Sequence, residues 1–343
     1  MKKIKVFIVE DSLVAKELLS YILNSHPDIE VIGYAESGEK ALTRLEGVKP
    51  DLITMDINMP GLSGYETTKL ILEKHPIPII VISAILDPKN MKSTYQALQA
   101  GALAVVEKPY GFGHAEFANC SEKIIDTVKM MSEIKVITRK PSFTPTQIIR
   151  RKTFSNKNRK IDIIVIGVST GGPTIIQKII EGLKPDFNIP ILITQHISEG
   201  FAESFVNWLN DTSKIPIQIP KQDELIMPGN IYVAPAEKSM TVNFNRKISL
   251  LDRVHENDLV PNVGKMFSSV DMVYKENCVG ILLTGMGKDG ALELDMMAQN
   301  GSVTIAQNEE SCIVYGMPKV AIDMGNVKHI MNPDEIIEYL NKL

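Results

Sequence analysis

Short runs of isoleucine and valine, each released into a turn and then an amphipathic stretch, recur along this chain and constrain its fold more than any other feature. In the first third they fall at 4–9, 30–35, 52–55, 79–83 and 104–106, with helical periodicity between them, as over 12–25 and 38–45. A continuous apolar run, unlike an alternating one, marks a strand buried on both faces, and helices between such strands make the sheet parallel. Five units of this kind predict a doubly wound α/β domain with a five-stranded parallel sheet, whose ligands gather at the carboxyl ends of the strands. The pattern resumes at 163–166, 191–194, 231–234, 280–283 and 302–306, which predicts a second, mainly parallel doubly wound α/β domain. Within it, 240–244 and 248–251, split by Asn245-Arg246-Lys247, predict an antiparallel β-hairpin.

Between these units the texture changes. Residues 138–160 contain Arg139, Lys140, Arg150, Arg151, Lys152, Lys157, Arg159 and Lys160 with no acidic residue. The stretch reads as a solvated linker, with a basic strip for an acidic partner as the alternative. The expected division is therefore 1–125 for the first domain, 126–160 for a helical extension and linker, and 161–343 for the second domain. A net charge of -4 offers no general attraction for nucleic acid or anionic lipid. No stretch approaches the ~20 apolar residues of a membrane span, and the apolar run at the N-terminus meets charge at Glu10, too early for a signal peptide. A cytoplasmic protein without membrane insertion is expected. Cys120, Cys278 and Cys312 lie far apart with no CxxC spacing, which argues against a zinc site or a disulfide framework.

The first domain gathers acids at one edge. Its first strand ends in Glu10-Asp11 and its third in Asp56, followed by Asn58-Met59-Pro60-Gly61; the fourth ends in Ser83-Ala84 and the fifth is followed by Lys108-Pro109. Three carboxylates in a small space repel one another unless a cation compensates. Magnesium, with its few protein oxygens, readily bridges such a site to a phosphoryl group. Lys108 would supply fixed positive charge and Ser83 a hydrogen bond to a phosphoryl oxygen, so the set describes a site where Asp56 accepts phosphate. These residues resemble a two-component receiver domain. The resemblance implies Asp56 as phosphoacceptor, Asp11 and Asp56 as side-chain Mg2+ ligands, the Asn58 carbonyl as a third, and Glu10 acting mostly through water. It departs at Val105, where an aromatic switch residue is common.

The second domain opens with an apolar strand running into Gly167-Val168-Ser169-Thr170-Gly171-Gly172-Pro173, after which helical periodicity resumes. Proline just inside a helix start is favourable, so Ser169 falls in a strand-to-helix turn. It reads as a nucleophile, as a helix N-cap, or as part of a phosphate cradle. Gln195-His196 ends the next strand, and Lys288-Asp289 follows the strand 280–283 through Gly285-Met286-Gly287. Serine, histidine and aspartate thus follow three parallel strands at their carboxyl ends and can meet. A serine hydroxyl needs a neutral imidazole to take its proton, and the imidazole needs a carboxylate to fix its tautomer. The glycine-flanked Met286 backbone could face a developing oxyanion.

The words GVSTGGP, TQH, GNIYVAP, LLTGMGKDGA and AQNEESCIVYGMP resemble the catalytic domain of the chemotaxis protein-glutamate methylesterases, whose architecture also carries an N-terminal receiver. The resemblance implies Ser169 as nucleophile, His196 as base, Asp289 as orienting carboxylate, and Thr170 and Met286 as oxyanion support. It further implies a chemotaxis-type histidine kinase as phosphodonor and methylated chemoreceptor helices as substrate. Demethylation, with glutamine deamidation beside it, would need no cofactor for the ester step. The chain departs from the family at Ile197-Ser198-Glu199, at Trp208 in place of an arginine, at Glu293 in place of glycine, and at Gly264 in place of an aspartate. Glu199 and Glu293 are expected to alter recognition of an acidic receptor helix, whereas Trp208 reads first as ordinary packing, with altered recognition the alternative. Met286, Met296 and Met297 are expected to fill core space, and Cys312 to be structural. The rival functions are a non-catalytic, phosphorylation-dependent adaptor and an esterase of a related sensory pathway.

Overall fold

The computed structural model describes residues 3–83, 88–134, 160–197, 200–255 and 258–343, with 88–93 described in backbone alone. Ala84, the basic residues from Arg139 to Arg159, and Ser198 and Glu199 lie outside the described residues.

The first domain runs β1 (Ile4–Val9), α1 (Leu13–Asn24), β2 (Ile29–Ala35), α2 (Gly38–Leu45), β3 (Leu52–Asp56), α3 (Gly64–Lys74), β4 (Ile79–Ser83), α4 (Pro88–Ala100), β5 (Ala104–Glu107) and α5 (Phe117–Ser132). Its sheet has the order β2-β1-β3-β4-β5, every neighbour parallel. All residues of β3 and β4 are buried, as their unbroken apolar character requires. Serine begins three of the helices: the side chains of Ser12, Ser37 and Ser63 each accept an amide hydrogen of the first turn. Helix α5 continues past residue 125, and its Val128 and Met131 belong to the same core as Val6 and Ile8.

The second domain runs β6 (Ile163–Val168), α6 (Gly172–Glu181), β7 (Ile191–Gln195), α7 (Ala202–Asn210), β8 (Ile217–Gln218), β9 (Ile231–Val233), β10 (Ser239–Val242), β11 (Ile248–Leu251), α8 (Val263–Tyr274), β12 (Cys278–Leu282), α9 (Ala291–Gln299), β13 (Val303–Gln307), α10 (Met317–Met324), β14 (His329–Met331) and α11 (Pro333–Leu340). Seven strands pair in the order β14-β13-β12-β6-β7-β9-β8, again all parallel. Antiparallel pairing within this domain is confined, among the named strands, to the β10–β11 ribbon, in register at Val242↔Ile248. The first ribbon strand ends before Phe244, which is 83% exposed. Asn243 stops it, its side chain accepting hydrogen bonds from the Asn245 and Lys247 amides.

In both sheets the chain order reverses beside a central strand, between β1 and β3 in the first and between β6 and β12 in the second. Such switch points open a crevice at the carboxyl ends of the strands. The domains meet through α4, which packs on α6 and α7. Tyr95 of α4 stacks on Trp208 of α7 at 4.8 Å and 15°, and its hydroxyl donates to the Phe201 carbonyl at 3.0 Å. Gln99 donates to Gln177 of α6 at 2.7 Å. Among the described residues, no helix is long and apolar enough to cross a membrane.

Candidate active site and phosphoacceptor site

At the first crevice, Glu10, Asp11 and Asp56 offer carboxylate oxygens that all lie within 4.8 Å of one another. Lys108, just beyond β5, reaches Asp56 at 2.9 Å and Glu10 at 2.9 Å. Burial pushes the Asp56 carboxyl above its ordinary range despite the ion pair with Lys108. Glu10 is raised in the same way, by burial and then by the charge of Asp56. For Lys108 burial acts downward, but its two carboxylate partners outweigh it and hold the ammonium charged. One lysine against three carboxylates leaves an oxygen-only cluster short of positive charge, a donor set that fits a hard divalent cation. The Asn58 amide donates to Asp56 at 3.3 Å, so the loop carrying this residue folds over the same carboxylate. Ser83 ends β4 in a buried position, and the Thr94 hydroxyl of α4 lies 3.4 Å from its oxygen.

At the second crevice, β12, β6 and β7 lie side by side and deliver Asp289, Ser169 and His196 in that order. His196 Nε2 and Asp289 Oδ2 are 2.8 Å apart, with side chains 16% and 11% exposed. Burial works against the Asp289 charge, but the His196 bond and the amides of Val263 and Gly264 overcome it and hold the carboxyl below its ordinary range. Those amides, 2.7 and 3.0 Å away, open α8, so Asp289 sits at the positive end of that helix. With Nε2 committed to the carboxylate, Nδ1 is the imidazole nitrogen left to take a proton.

Ser169 lies one residue past β6, and its amide donates to the Thr284 carbonyl at 3.0 Å. The backbone that follows Thr284 presses directly against it: a Cβ at Gly285 would fall 2.6 Å from the Ser169 Cβ. Only glycine permits this approach. Among the described residues the Ser169 hydroxyl makes no hydrogen bond to His196, and the amides of Thr170 and Met286 have no protein acceptor. Catalytic contacts are often long before substrate arrives.

Three supports escaped sequence reasoning. Gln195, the last residue of β7, is buried and bridges the Ser169 and His196 carbonyls. Gln307, the last residue of β13, binds the Thr284 amide through its oxygen at 2.7 Å and the Ser311 carbonyl through its nitrogen at 2.9 Å. The start of α8 was signalled by Asn262, whose side chain caps it by accepting from Lys265 at 2.6 Å. What the sequence did not reveal was that this helix points at Asp289.

Residues 164–340 match the family described as CheB methylesterase, and 6–116 match the response regulator receiver domain. The chain belongs to the CheB methylesterase family. It is 46% identical over 344 residues, 99% of this chain and 98% of the other, to protein-glutamate methylesterase/protein-glutamine glutaminase 1 of Syntrophus aciditrophicus. It is 42% identical to the protein-glutamate methylesterase/protein-glutamine glutaminase of Nitrosospira multiformis, over 99% of this chain and 97% of that one. The crystal structure of the Thermotoga maritima CheB methylesterase catalytic domain superposes with a TM-score of 0.51 at 32% identity, covering 53% of this chain and 98% of that chain.

Against that family background the departures take on definite places. Trp208 packs, as its first reading has it, and does not line an open groove: it is 7% exposed and stacked on Tyr95 at the domain junction, because α7 turns this face toward α4. Glu293 lies with its carboxylate over Gly264, 2.7 Å from where a Cβ would stand. Of the three methionines expected to fill the core, Met297 is buried, but Met286 and Met296 are 51% and 49% exposed. They sit on the turn and helix face that follow β12, beyond the sheet edge. Cys312 has its thiol pushed up to about 12 by burial, which suits a structural residue.

Proposed function

We propose that the chain is a phosphorylation-regulated protein-glutamate methylesterase in which Ser169 is the nucleophile, His196 the general base and Asp289 the carboxylate that orients the imidazole. The observation that carries this reading is the closed His196–Asp289 pair at 2.8 Å, delivered by strands on either side of the one that leads into Ser169. Ser169 Oγ attacks the γ-carbonyl carbon of a glutamate methyl ester while its proton passes to His196. The amides of Thr170 and Met286 face the oxyanion. Collapse breaks the ester bond, the leaving oxygen takes the proton from the imidazolium, and methanol departs. Water then attacks the acyl-Ser169 carbon by the same route and releases the glutamate carboxylate. With a glutamine side chain the group expelled is ammonia, which makes the same site a deamidase.

The substrate in this reading is the cytoplasmic helical part of methylated chemoreceptors, and the setting is the cytoplasm. A chemotaxis-type histidine kinase supplies phosphate to Asp56. Mg2+, held by Asp11, Asp56 and the Asn58 carbonyl with Glu10 behind water, would neutralise the phosphoryl charge. Lys108 and Ser83 bind the phosphoryl oxygens, and the receiver over 1–125 governs the esterase domain over 161–343 by packing against it, a packing that phosphorylation of Asp56 loosens. The relatives in Syntrophus aciditrophicus and Nitrosospira multiformis, matched over almost their whole length, support this assignment.

The test is methanol release from methylated receptor membranes, with and without a small phosphodonor, joined to labelling by a fluorophosphonate. The wild type should release methanol, and faster with phosphodonor, while Ser169→Ala should neither turn over nor label. Receptor binding that responds to phosphorylation, with no methanol and no label in the wild type, would instead identify a non-catalytic adaptor.

A further inference from the structure

Gln195 closes β7 with only 3% of the residue exposed. Its Nε2 donates to the Ser169 carbonyl at 2.9 Å and to the His196 carbonyl at 2.9 Å. No other described side chain bonds to both of these residues. Two carbonyl acceptors on one side fix which end of the amide carries nitrogen. Among the described residues the opposite end, Oε1, has no hydrogen-bond partner, which is ordinarily unfavourable for a buried acceptor. It lies where the Cβ of any residue but glycine at 172 would stand, 2.2 Å from that position, against the opening turn of α6. The positive end of the helix lessens the cost of the unpaired oxygen. The amide dipole is thus aligned, oxygen toward the helix start and hydrogens toward the two loops.

Ser169 and His196 have little else to hold them in register. Strand pairing between β6 and β7 ends at Val168↔Gln195, followed by one further bond from the His196 amide to the Val168 carbonyl at 3.0 Å. Beyond that point the two chains diverge into separate turns. We infer that Gln195 is a positioning residue for the hydrolytic reaction: its side-chain amide ties the turn of the nucleophile to the residue that carries the base and so sets the distance from Ser169 Oγ to the imidazole. The inference rests on the Ser169–His196–Asp289 reading above. It gives the bare Cα of Gly172 a purpose, because a side chain there would expel Oε1 and swing the amide off both carbonyls.

Two variants of the full chain, treated with phosphodonor, test this. Gln195→Met keeps the volume and loses both hydrogen bonds. Gln195→Glu keeps the shape but sets carboxylate oxygens against two carbonyl oxygens until it is protonated. The readouts are the fluorophosphonate labelling rate, kcat and KM for methanol release from methylated receptor membranes, and the melting curve. A displacement of the order of 1 Å in a catalytic pair costs on the order of 100-fold in rate. Gln195→Met should therefore lose labelling rate and kcat by about 100-fold with KM held within about twofold. The labelling rate of Gln195→Glu, as a ratio to wild type at the same pH, should rise as pH falls toward the carboxyl range. A folded Gln195→Met that labels at the wild-type rate overturns the inference. If that variant does not fold, a Gln195→Glu ratio that is flat with pH overturns it instead. Ser169→Ala run in parallel separates the two claims. Undiminished labelling of Ser169→Ala removes the triad itself, whereas a blank Ser169→Ala beside an unaffected Gln195→Met removes the role of Gln195 alone.

Discussion

Asp289 accepts three hydrogen bonds, one from an imidazole and two from the first amides of a helix. Two consequences follow at the level of this residue. The first concerns rate: Asp289→Asn presents an amide that can hold the wrong tautomer of His196, and a loss on the order of 10^4-fold in kcat is expected, read by methanol release. The second concerns stability. The folded carboxyl lies below its unfolded value of 3.8, so the charged form is favoured by folding. Its contribution is complete above pH 3.8 and disappears as pH falls through the lower, folded value. Melting temperatures of wild type and Asp289→Asn should therefore differ most near neutrality and converge in acid below pH 3.8. A gap that stays constant across that window would mean that the His196 bond and the amides of Val263 and Gly264 together add no net preference for the charged carboxylate.

Helices α8 and α9 carry two family departures that belong together. Glu293 lies in the first turn of α9, and its carboxylate covers Gly264 in the first turn of α8. One acid therefore faces two helix starts, and the glycine leaves room for it. Placing aspartate at 264 would crowd that carboxylate and repel it. Gly264→Asp should cost about 1–3 kcal/mol. Glu293→Gly alone should cost about 1 kcal/mol as a helix glycine, and the double variant should be more stable than the sum by about 0.5–3 kcal/mol. Denaturant unfolding of the four proteins measures the coupling; simple additivity would make the two departures independent. Neither residue revealed this link in sequence, for 29 positions separate them and only packing joins them. The central strands, in contrast, were legible because burial on both faces demands unbroken apolar runs. The edge strands β8 and β14, of two and three residues, carry too few positions to show any period. Ser169, His196, Asp289 and the acids of the receiver could be read from their places at strand ends. Gln195 could not, since a buried glutamine has no periodic or spacing signal.

Across the molecule, one receiver helix touches both helices that leave the catalytic loops. Helix α4 packs on α6, which begins three residues after Ser169, and on α7, which begins six residues after His196. Its middle lies against the phosphoacceptor side, where Thr94 meets Ser83. Tyr95, the next residue, is 2% exposed and provides the stack on Trp208 and the bond to Phe201. Position 105 is a valine, and the receiver ring at this junction is that of Tyr95 in α4. A phosphoryl group that engages Ser83 competes for the Thr94 contact and would shift α4, loosening its hold on α7. Replacing the ring should imitate that loosening. A stacked aromatic pair contributes about 0.5–1.5 kcal/mol beyond its buried area, so Tyr95→Ala should raise methanol release without phosphodonor by up to about tenfold. The rate with phosphodonor should remain close to that of wild type, because the restraint is already relieved there. Tyr95→Phe, which keeps the stack and loses only the bond to Phe201, should fall between the two. Should Tyr95→Ala fold normally and show the unphosphorylated wild-type rate, the α4–α7 contact is packing alone, and the restraint on the esterase domain lies in another part of the domain junction.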